Sequence, residues 1–274
     1  MTQTDNGYLD LEDGQIYYET AGDGVPLLLS HAAFLDSRMF DDIWEPLAAE
    51  FRVVRYDMRG FGKSSPVNGP VSRRADLQQL LKRLDITRCH LVGCSLGGEI
   101  TLDLTLENPG KAASLTLVAG TPSGFELRGE MPRYMPEMID AMQRGDVDRA
   151  NELQIRIWLD GEFREPGQVD AGLREKALEM NRIPVMQGTF FRADTQPLNP
   201  LDPPATTRLE EVGCPTLIIA GSLDHPEVLR AADEMAARIP RARKVIFEGS
   251  GHVPSYEQPD QFTRQLLEFL QTVN

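Results

Sequence analysis

Short apolar runs alternate with segments of helical periodicity along most of the chain. This alternation is typical of parallel strands joined by crossover helices. The apolar runs predict strands over residues 26–30, 51–56, 89–94, 114–120, 216–221 and 244–248. The helical spacing predicts helices over residues 39–49, 71–84 and 96–107. The pattern therefore predicts an α/β fold with a twisted, mostly parallel sheet and helices on both of its faces.

The amino-terminal part of the chain carries a different signal. Two runs with strand character, 8–12 and 15–20, are separated by Asp13-Gly14. An Asp-Gly pair between two such runs is a strong indication of a two-residue hairpin. We therefore expect these first two strands to be antiparallel.

The strand–helix alternation stops between residues 122 and 205. Helical stretches are predicted over 130–143, 146–159 and 167–181 without a strand between them, and the proline-rich stretch 197–204 resembles a linker. We interpret residues 122–205 as an inserted helical lid. Residues 1–121 and 206–274 then form the core domain.

Composition narrows the class of protein. The 274 residues are 41% hydrophobic and 26% charged, and we find no apolar run long enough to span a membrane. Residues 1–7 lack a secretory pattern, so we expect a cytoplasmic protein, and three cysteines without Cys-x-x-Cys spacing suggest free thiols. The net charge of −14 argues against nucleic acid or an anionic membrane as a partner. Either a monomer or a homodimer is compatible with the sequence.

The most informative motif follows the predicted strand 89–94. There Gly93-Cys94-Ser95-Leu96-Gly97-Gly98 leads directly into a helix, which fits the Gly-x-Ser-x-Gly nucleophile elbow. Such a turn places the serine on strained backbone, and flanking side chains would clash with the adjacent strand and helix. We predict that Ser95 is a nucleophile.

A serine hydroxyl needs a base, and the base needs an orienting carboxylate. His252 lies in the Gly-rich loop after the last predicted strand, and Asp224 follows the strand before it. The order Ser, Asp, His is the one found with this type of elbow. We therefore predict a triad of Ser95, His252 and Asp224.

An oxyanion hole would complete the machinery for acyl transfer. The residue after the nucleophile, Leu96, supplies one backbone N–H, and the loop after an early strand supplies the other. That loop is Ser30-His31-Ala32-Ala33-Phe34, and we assign the second N–H to Ala33.

These motifs together resemble the α/β-hydrolase superfamily, in particular its lid-bearing branch of small esterases, lactonases, cofactor-free haloperoxidases and carbon–carbon bond hydrolases. The resemblance also rests on Asp57-Met58-Arg59-Gly60-Phe61-Gly62-Lys63-Ser64. It implies catalysis without a cofactor, and no metal-ligand spacing such as His-Glu-x-x-His occurs. Ala32 departs from the family pattern, which usually has glycine before the oxyanion donor, and its methyl group could narrow the hole or shift the loop.

The core is most similar to 3-oxoadipate enol-lactonases and related carboxylesterases. That likeness implies a cation in the lid for the substrate carboxylate, and Arg133, Arg156 and Arg192 are equal candidates. We assign His31, Phe34, Met135 and Trp158 to the substrate pocket, although His31 could equally brace the oxyanion loop. Four methionines at helical spacing either pack in the lid or face Ser95: Met131, Met135, Met138 and Met142. His225, beside Asp224, is expected to be solvated.

The function predicted from the sequence is hydrolysis of a small carboxylic ester or lactone through an acyl-enzyme on Ser95. Two other activities use the same triad, namely cofactor-free haloperoxidase or perhydrolase chemistry and carbon–carbon bond hydrolysis. A ligand receptor with a hydrolase fold is the alternative outside enzymes.

Overall fold

The protein was analysed as a computed structural model that describes residues 3–273. Within that range eight strands form one sheet. They are β1 (Thr4–Leu11), β2 (Gly14–Ala21), β3 (Val25–Ser30), β4 (Phe51–Tyr56), β5 (Cys89–Cys94), β6 (Ala112–Val118), β7 (Thr216–Gly221) and β8 (Ala242–Phe247). Their order across the sheet is β1-β2-β4-β3-β5-β6-β7-β8.

The first two strands form the antiparallel hairpin predicted from the sequence. β1 pairs with β2 from Thr4 opposite Ala21 to Leu11 opposite Gly14. The connecting residues are therefore Glu12 and Asp13, and Gly14 opens β2 rather than closing the turn. β2 also pairs antiparallel with β4, while the remaining neighbours, from β4 through β3 to β8, are parallel.

Helices cover both faces of the sheet, as predicted. One apolar cluster contains Leu27 and Leu29 and holds α1 (Asp41–Ala48) and α9 (Pro259–Gln271) against the sheet. A second cluster contains Leu28 and holds α2 (Arg73–Arg83), α3 (Leu96–Glu107) and α7 (Pro226–Arg238) against the opposite face. Successive strand residues point to opposite faces, so a strand buried on both sides is continuously apolar. Burial of each such leucine contributes about 2 kcal/mol.

No strand of the sheet lies in the part of the chain from 122 to 205, all of which the structure describes. That segment, called here the inserted segment, contains α4 (Met135–Gln143), α5 (Val147–Ile155) and α6 (Ala171–Gln187). A π-helical turn, Arg156–Asp160, continues α5, and a second, Phe190–Asp194, follows α6. The division into a core domain and a lid stays a prediction.

The helix bounds in the inserted segment differ from the sequence expectation. α4 begins at Met135 rather than at residue 130, because Pro132 and Pro136 allow a helix to start beside them but not to run through them. α6 continues to Gln187, beyond the predicted end at residue 181, and stops where Gly188 adopts a left-handed conformation with φ of 64°.

Two further properties concern the whole described chain. All three cysteines are free, and Cys89 and Cys94 are buried. Across residues 3–273, the helices are either too short or too polar to cross a membrane.

Candidate active site

The three residues of the predicted triad lie at one edge of the sheet. Ser95 follows β5, Asp224 follows β7 and His252 follows β8. These strands are parallel, so their carboxyl ends meet at the same edge, where ligands commonly bind in α/β proteins. α8 (Pro254–Glu257) begins directly after the His252 loop.

Ser95 occupies a strained turn between β5 and α3. Its backbone has φ of 53° and ψ of −117°, a region that side-chain-bearing residues rarely adopt, at a cost on the order of 1–3 kcal/mol. The Ser95 N–H donates to the Val118 carbonyl at 2.8 Å, which ties the turn to β6. The turn presents the Ser95 side chain at the end of the strand.

The glycines around Ser95 allow close approach of backbones. A Cβ atom on Gly93 would lie 2.2 Å from the Gly97 carbonyl oxygen. One on Gly97 would lie 2.2 Å from the Ser30 carbonyl oxygen, at the end of β3. The start of α3 therefore packs directly against the loop that follows β3, which only glycine permits at these two positions.

His252 lies between Ser95 and Asp224. Its Nε2 is 2.8 Å from Ser95 Oγ, and its Nδ1 is 3.0 and 2.9 Å from the two Asp224 carboxylate oxygens. A carboxylate only accepts hydrogen bonds, so Nδ1 carries the proton and the Nε2 lone pair faces the hydroxyl. This is the tautomer that a general base for Ser95 requires.

Asp224 is fixed by its surroundings as well as by His252. It is 3% exposed, and its Oδ1 also accepts the backbone N–H of His225 at 2.7 Å. The loops that carry Asp224 and His252 pack closely together. A Cβ atom on Gly221 would lie 2.1 Å from the Gly251 carbonyl oxygen. The carboxylate is thereby held toward the imidazole.

The His252 loop is anchored by an ion pair that sequence reasoning did not find. Glu257 accepts the Gly251 N–H at 2.8 Å and pairs with Arg164 at 2.6 Å. Arg164 belongs to the inserted segment and also donates to the Leu159 carbonyl at 2.6 Å. This contact joins the inserted segment to the loop that carries the base, and nothing in the sequence pattern pairs residues 93 positions apart.

The two predicted oxyanion donors are available. Among the described residues, neither the Ala33 N–H nor the Leu96 N–H has a hydrogen-bond partner. The loop carrying Ala33 lies against the start of α3 through the Ser30–Gly97 contact. Ala32, the departure from the family pattern, is fully buried in the apolar cluster that contains α1, so its methyl group packs in the core.

The structure places His31 and Phe34, which the sequence assigned to the substrate pocket, outside the lining of the cavity at Ser95. His31 is fully buried, with Nδ1 2.8 Å from the Ala32 carbonyl oxygen and Nε2 accepting the Met58 N–H at 2.9 Å. Burial lowers the pKa of this imidazole. His31 therefore braces the loop, which was the alternative left open. Phe34 is buried behind the base, with its ring centroid 6.4 Å from that of His252.

A cavity of about 360 Å³ lies against Ser95. Met135 and Trp158 line it, as predicted, and the Trp158 ring centroid is 4.7 Å from that of His252. The complete lining is Ser95, Leu96, Glu99, Ala119, Thr121, Leu127, Pro132, Met135, Trp158, Phe190, His225, Glu227, Val228 and His252. Glu99 lies one helical turn after Ser95, and this spacing could have predicted that it lines the cavity. No pattern in the sequence predicted the same of Phe190.

Three of the four methionines divide between the two expected roles, and Met131 has neither. Met135 lines the cavity, whereas Met138 is buried between α4 and α5, and Met142 packs against the same cluster. Met131 precedes α4 and is 56% exposed.

None of the three arginines proposed for a substrate carboxylate lines this cavity. Arg133 lines a neighbouring cavity of about 590 Å³, and Arg192 lines a separate one of about 150 Å³. Arg156 instead bonds the Tyr134 hydroxyl at 3.0 Å and faces Asp160 at 3.6 Å. Neighbouring side chains of the inserted segment therefore engage Arg156. The described residues that line the Ser95 cavity include no Lys or Arg.

His225 is not solvated as expected. Its side chain is 12% exposed and lines the cavity at Ser95. The residue caps the start of α7, where its Nδ1 accepts the Glu227 N–H at 3.2 Å. This capping bond folds the ring back toward the protein. No group of three or more metal-binding side chains occurs in the described part of the chain.

Comparison with known proteins adds independent information. A family model described as the alpha/beta hydrolase family matches residues 27–265. The pimeloyl-acyl-carrier-protein methyl ester esterase of Nitrosomonas europaea is 30% identical, over 90% of this chain and 96% of its own length. A 2-hydroxy-6-oxononadienedioate/2-hydroxy-6-oxononatrienedioate hydrolase of Paraburkholderia xenovorans is 27% identical, over 93% of this chain and 90% of its own.

A solved structure gives a similar result. The thermophilic esterase of Thermogutta terrifontis superposes with a TM-score of 0.74 and 26% identity, covering 99% of both chains. The sheet order, the strained turn at Ser95 and the sequence similarities all indicate the same family. The chain belongs to the alpha/beta hydrolase family.

Proposed function

We propose that the protein hydrolyses small carboxylic esters or lactones through an acyl-enzyme on Ser95. The observation that carries the proposal is the continuous hydrogen-bonded line from Ser95 Oγ through His252 to Asp224, at 2.8 and 2.9 Å. An isolated serine hydroxyl is a weak nucleophile, and this line supplies its base and the group that orients the base.

The proposed reaction has two halves. Ser95 Oγ attacks the carbonyl carbon while His252 Nε2 takes its proton, and the Leu96 and Ala33 N–H groups hold the negative oxygen. His252 then protonates the leaving alkoxide, which leaves the acyl group on Ser95. Water, deprotonated by His252, attacks this acyl-enzyme. The bond from the acyl carbon to Ser95 Oγ then breaks, His252 returns the proton to Ser95 Oγ, and the acid is released.

The cavity supports a small, mainly apolar substrate. Its volume of about 360 Å³ is at the small end for ligand sites, and aromatic and aliphatic side chains form much of its wall. The similar protein from Nitrosomonas europaea is named as an ester hydrolase. The Paraburkholderia relative is named for a dioate, whereas no Lys or Arg occurs among the described residues that line this cavity, which favours ester over carbon–carbon bond cleavage.

Ser95→Ala tests the proposal. We expect this variant to lose hydrolysis of p-nitrophenyl butyrate by at least about 10³-fold in kcat, because the nucleophile is removed. Ser65→Ala is the matched control, since Ser65 Oγ bonds the Gln15 N–H away from the cavity and should leave the rate unchanged. Retention of most activity in Ser95→Ala would refute the mechanism.

Two measurements separate the alternatives. A fluorophosphonate that fails to label folded wild-type protein at Ser95 would favour a ligand receptor. Peracid formation from acetate and peroxide that outpaces ester hydrolysis would favour a perhydrolase on the same residues.

A further inference from the structure

The Ser95 cavity contains two carboxylates, Glu99 and Glu227, and they differ in their partners. Glu227 pairs with Arg230 at 2.6 Å and accepts the Arg128 N–H at 2.9 Å, so its charge is compensated within the protein. Glu99 has neither an ion pair nor a hydrogen bond among the described residues. It is the carboxylate of this cavity whose charge is left for a ligand to meet.

Glu99 lines two adjoining cavities. It is four residues after Ser95 on α3, one turn along the same helix. It also lines a second cavity of about 180 Å³, which shares Leu96 and Glu99 with the first. The carboxyl group therefore stands between the two spaces, next to the residue assigned to the oxyanion hole.

Other charged and titratable groups around Glu99 do not neutralise it. They are Arg73, Arg74, Asp103, Asp194, His225, Glu227 and His252. Arg73 is engaged by Asp194 at 2.5 Å and by the Arg59 carbonyl at 2.9 Å. Arg74 is engaged by Glu107 at 3.1 Å and lies 3.8 Å from Asp103.

The surroundings of Glu99 also set when it is charged. Burial raises its pKa to about 7, and the nearby Asp103 and Asp194 carboxylates add to the effect. Above that pH the cavity holds a negative charge that lacks a counterion among the described residues, and Trp158 and Phe190 line the same cavity. A cation in the cavity would gain from both the carboxylate and the aromatic faces.

We propose that Glu99 is a specificity-determining residue that makes the Ser95 cavity favour esters bearing an ammonium group over neutral esters of the same shape. This inference rests on the proposed ester hydrolysis. It names the substrate class as small cationic esters, for which Glu99 supplies the counterion.

The test compares butyrylcholine with 3,3-dimethylbutyl butyrate, its uncharged isostere. The ratio of their kcat/KM values measures charge selection, and the trimethylammonium group keeps its charge at every pH. We expect a ratio of about 10 at pH 8.5 in wild type, falling toward 1 at pH 6 as Glu99 is protonated. An effect of pH on the chemical step acts on both esters and cancels in the ratio.

Glu99→Gln should lower the ratio at pH 8.5 to about 1, because the amide keeps the shape of the side chain and removes its charge. Glu130→Gln is the matched control, because Glu130 is an exposed carboxylate in the neighbouring 590 Å³ cavity and not in the Ser95 cavity. That control should keep the wild-type ratio.

The outcomes separate this inference from the proposed function. Suppose that the neutral ester is hydrolysed in a Ser95-dependent way. A kcat/KM ratio near 1 in wild type, or a ratio that Glu99→Gln leaves unchanged, then overturns the role of Glu99 alone. An equal fall of the ratio in Glu130→Gln also overturns the role of Glu99. The selection for cations would then come from the general electrostatic field of the acidic protein. Hydrolysis of p-nitrophenyl butyrate without hydrolysis of butyrylcholine also overturns the role of Glu99 alone. Failure to hydrolyse all three esters overturns the proposed function itself.

Discussion

At the scale of single residues, the proposed chemistry depends on one orientation of His252. Its Nδ1 faces both Asp224 oxygens, and Asp224 is also held by the His225 N–H. The buried carboxylate therefore fixes the proton on Nδ1 and keeps Nε2 free for Ser95. Loss of the carboxylate charge would allow the ring to hold its proton on the wrong nitrogen.

Asp224→Asn tests this dependence. We expect kcat for p-nitrophenyl butyrate to fall by about 10³- to 10⁴-fold, because an amide can donate to Nδ1 and reverse the tautomer. The circular dichroism spectrum should match wild type, since the side chain keeps its shape. A loss of less than tenfold would show that Asp224 does not orient the base.

The proximity of Ser95, Asp224 and His252 could be predicted from the sequence, because each lies at or shortly after the carboxyl end of a parallel strand. Their catalytic role stays a proposal. The sequence was insufficient for residues whose place depends on how loops pack. His31 and Phe34 lie in the predicted oxyanion loop, yet their side chains turn into the core. The sequence places a residue on a loop, but tertiary packing decides which way its side chain points.

At the scale of elements, the inserted segment and the core meet at the Arg164–Glu257 pair. Both side chains are largely buried, at 10% and 7% exposure, and Glu257 also holds the Gly251 N–H beside the base. A buried ion pair is costly to break from one side, because the remaining charge stays desolvated.

A double-mutant cycle measures this contact. We expect Arg164→Met to lower the free energy of unfolding by about 3 kcal/mol. Adding Glu257→Gln should recover part of the loss, giving a coupling energy of about 1–3 kcal/mol in urea titrations. Strictly additive effects would show that the two side chains do not act as a pair.

The existence and type of the elements could be predicted, whereas some of their ends could not. The strands of the sheet were found because short apolar runs bounded by turn residues are typical of buried strands. α6 passes the predicted end because Pro184 is accommodated within the helix, a tertiary effect that propensity does not include.

At the scale of the whole molecule, acidic groups near the site link stability to pH. The pKa of Glu99 is raised to about 7 and that of Asp103 to about 6, mainly by burial. Each of these two groups therefore binds more protons in the folded protein than in the unfolded chain between the ordinary carboxyl range and its raised pKa. In that window their contribution to stability falls as pH rises, and the contribution of protonated Glu99 is lost above pH 7.

Glu99→Gln should remove much of this dependence. We expect wild type to lose stability, on the order of 1–3 kcal/mol from this residue, between pH 4.5 and 7.5, and the variant to show a flatter profile. Urea unfolding at a series of pH values measures both profiles. Parallel profiles would show that Glu99 titrates normally in the folded protein.

The net charge of the molecule and the charge of Glu99 in its cavity are both negative and would both attract cations. The net charge of −14 attracts cations toward the surface, and Glu99 lies inside without a partner among the described residues. The overall charge follows from the composition. The lack of Lys and Arg among the described residues that line the Ser95 cavity does not, because it depends on the positions that Arg133, Arg156 and Arg192 take in the fold.

The most direct test of the central proposal is to trap the acyl group. Wild-type protein is mixed with p-nitrophenyl butyrate, quenched in acid during turnover, digested and examined by mass spectrometry. We expect one butyryl group on the peptide that contains Ser95, and none on that peptide in Ser95→Ala. Two results would contradict an acyl-enzyme on Ser95. One is turnover with the butyryl group on another residue, and the other is turnover with no acylated peptide in a rapidly quenched burst.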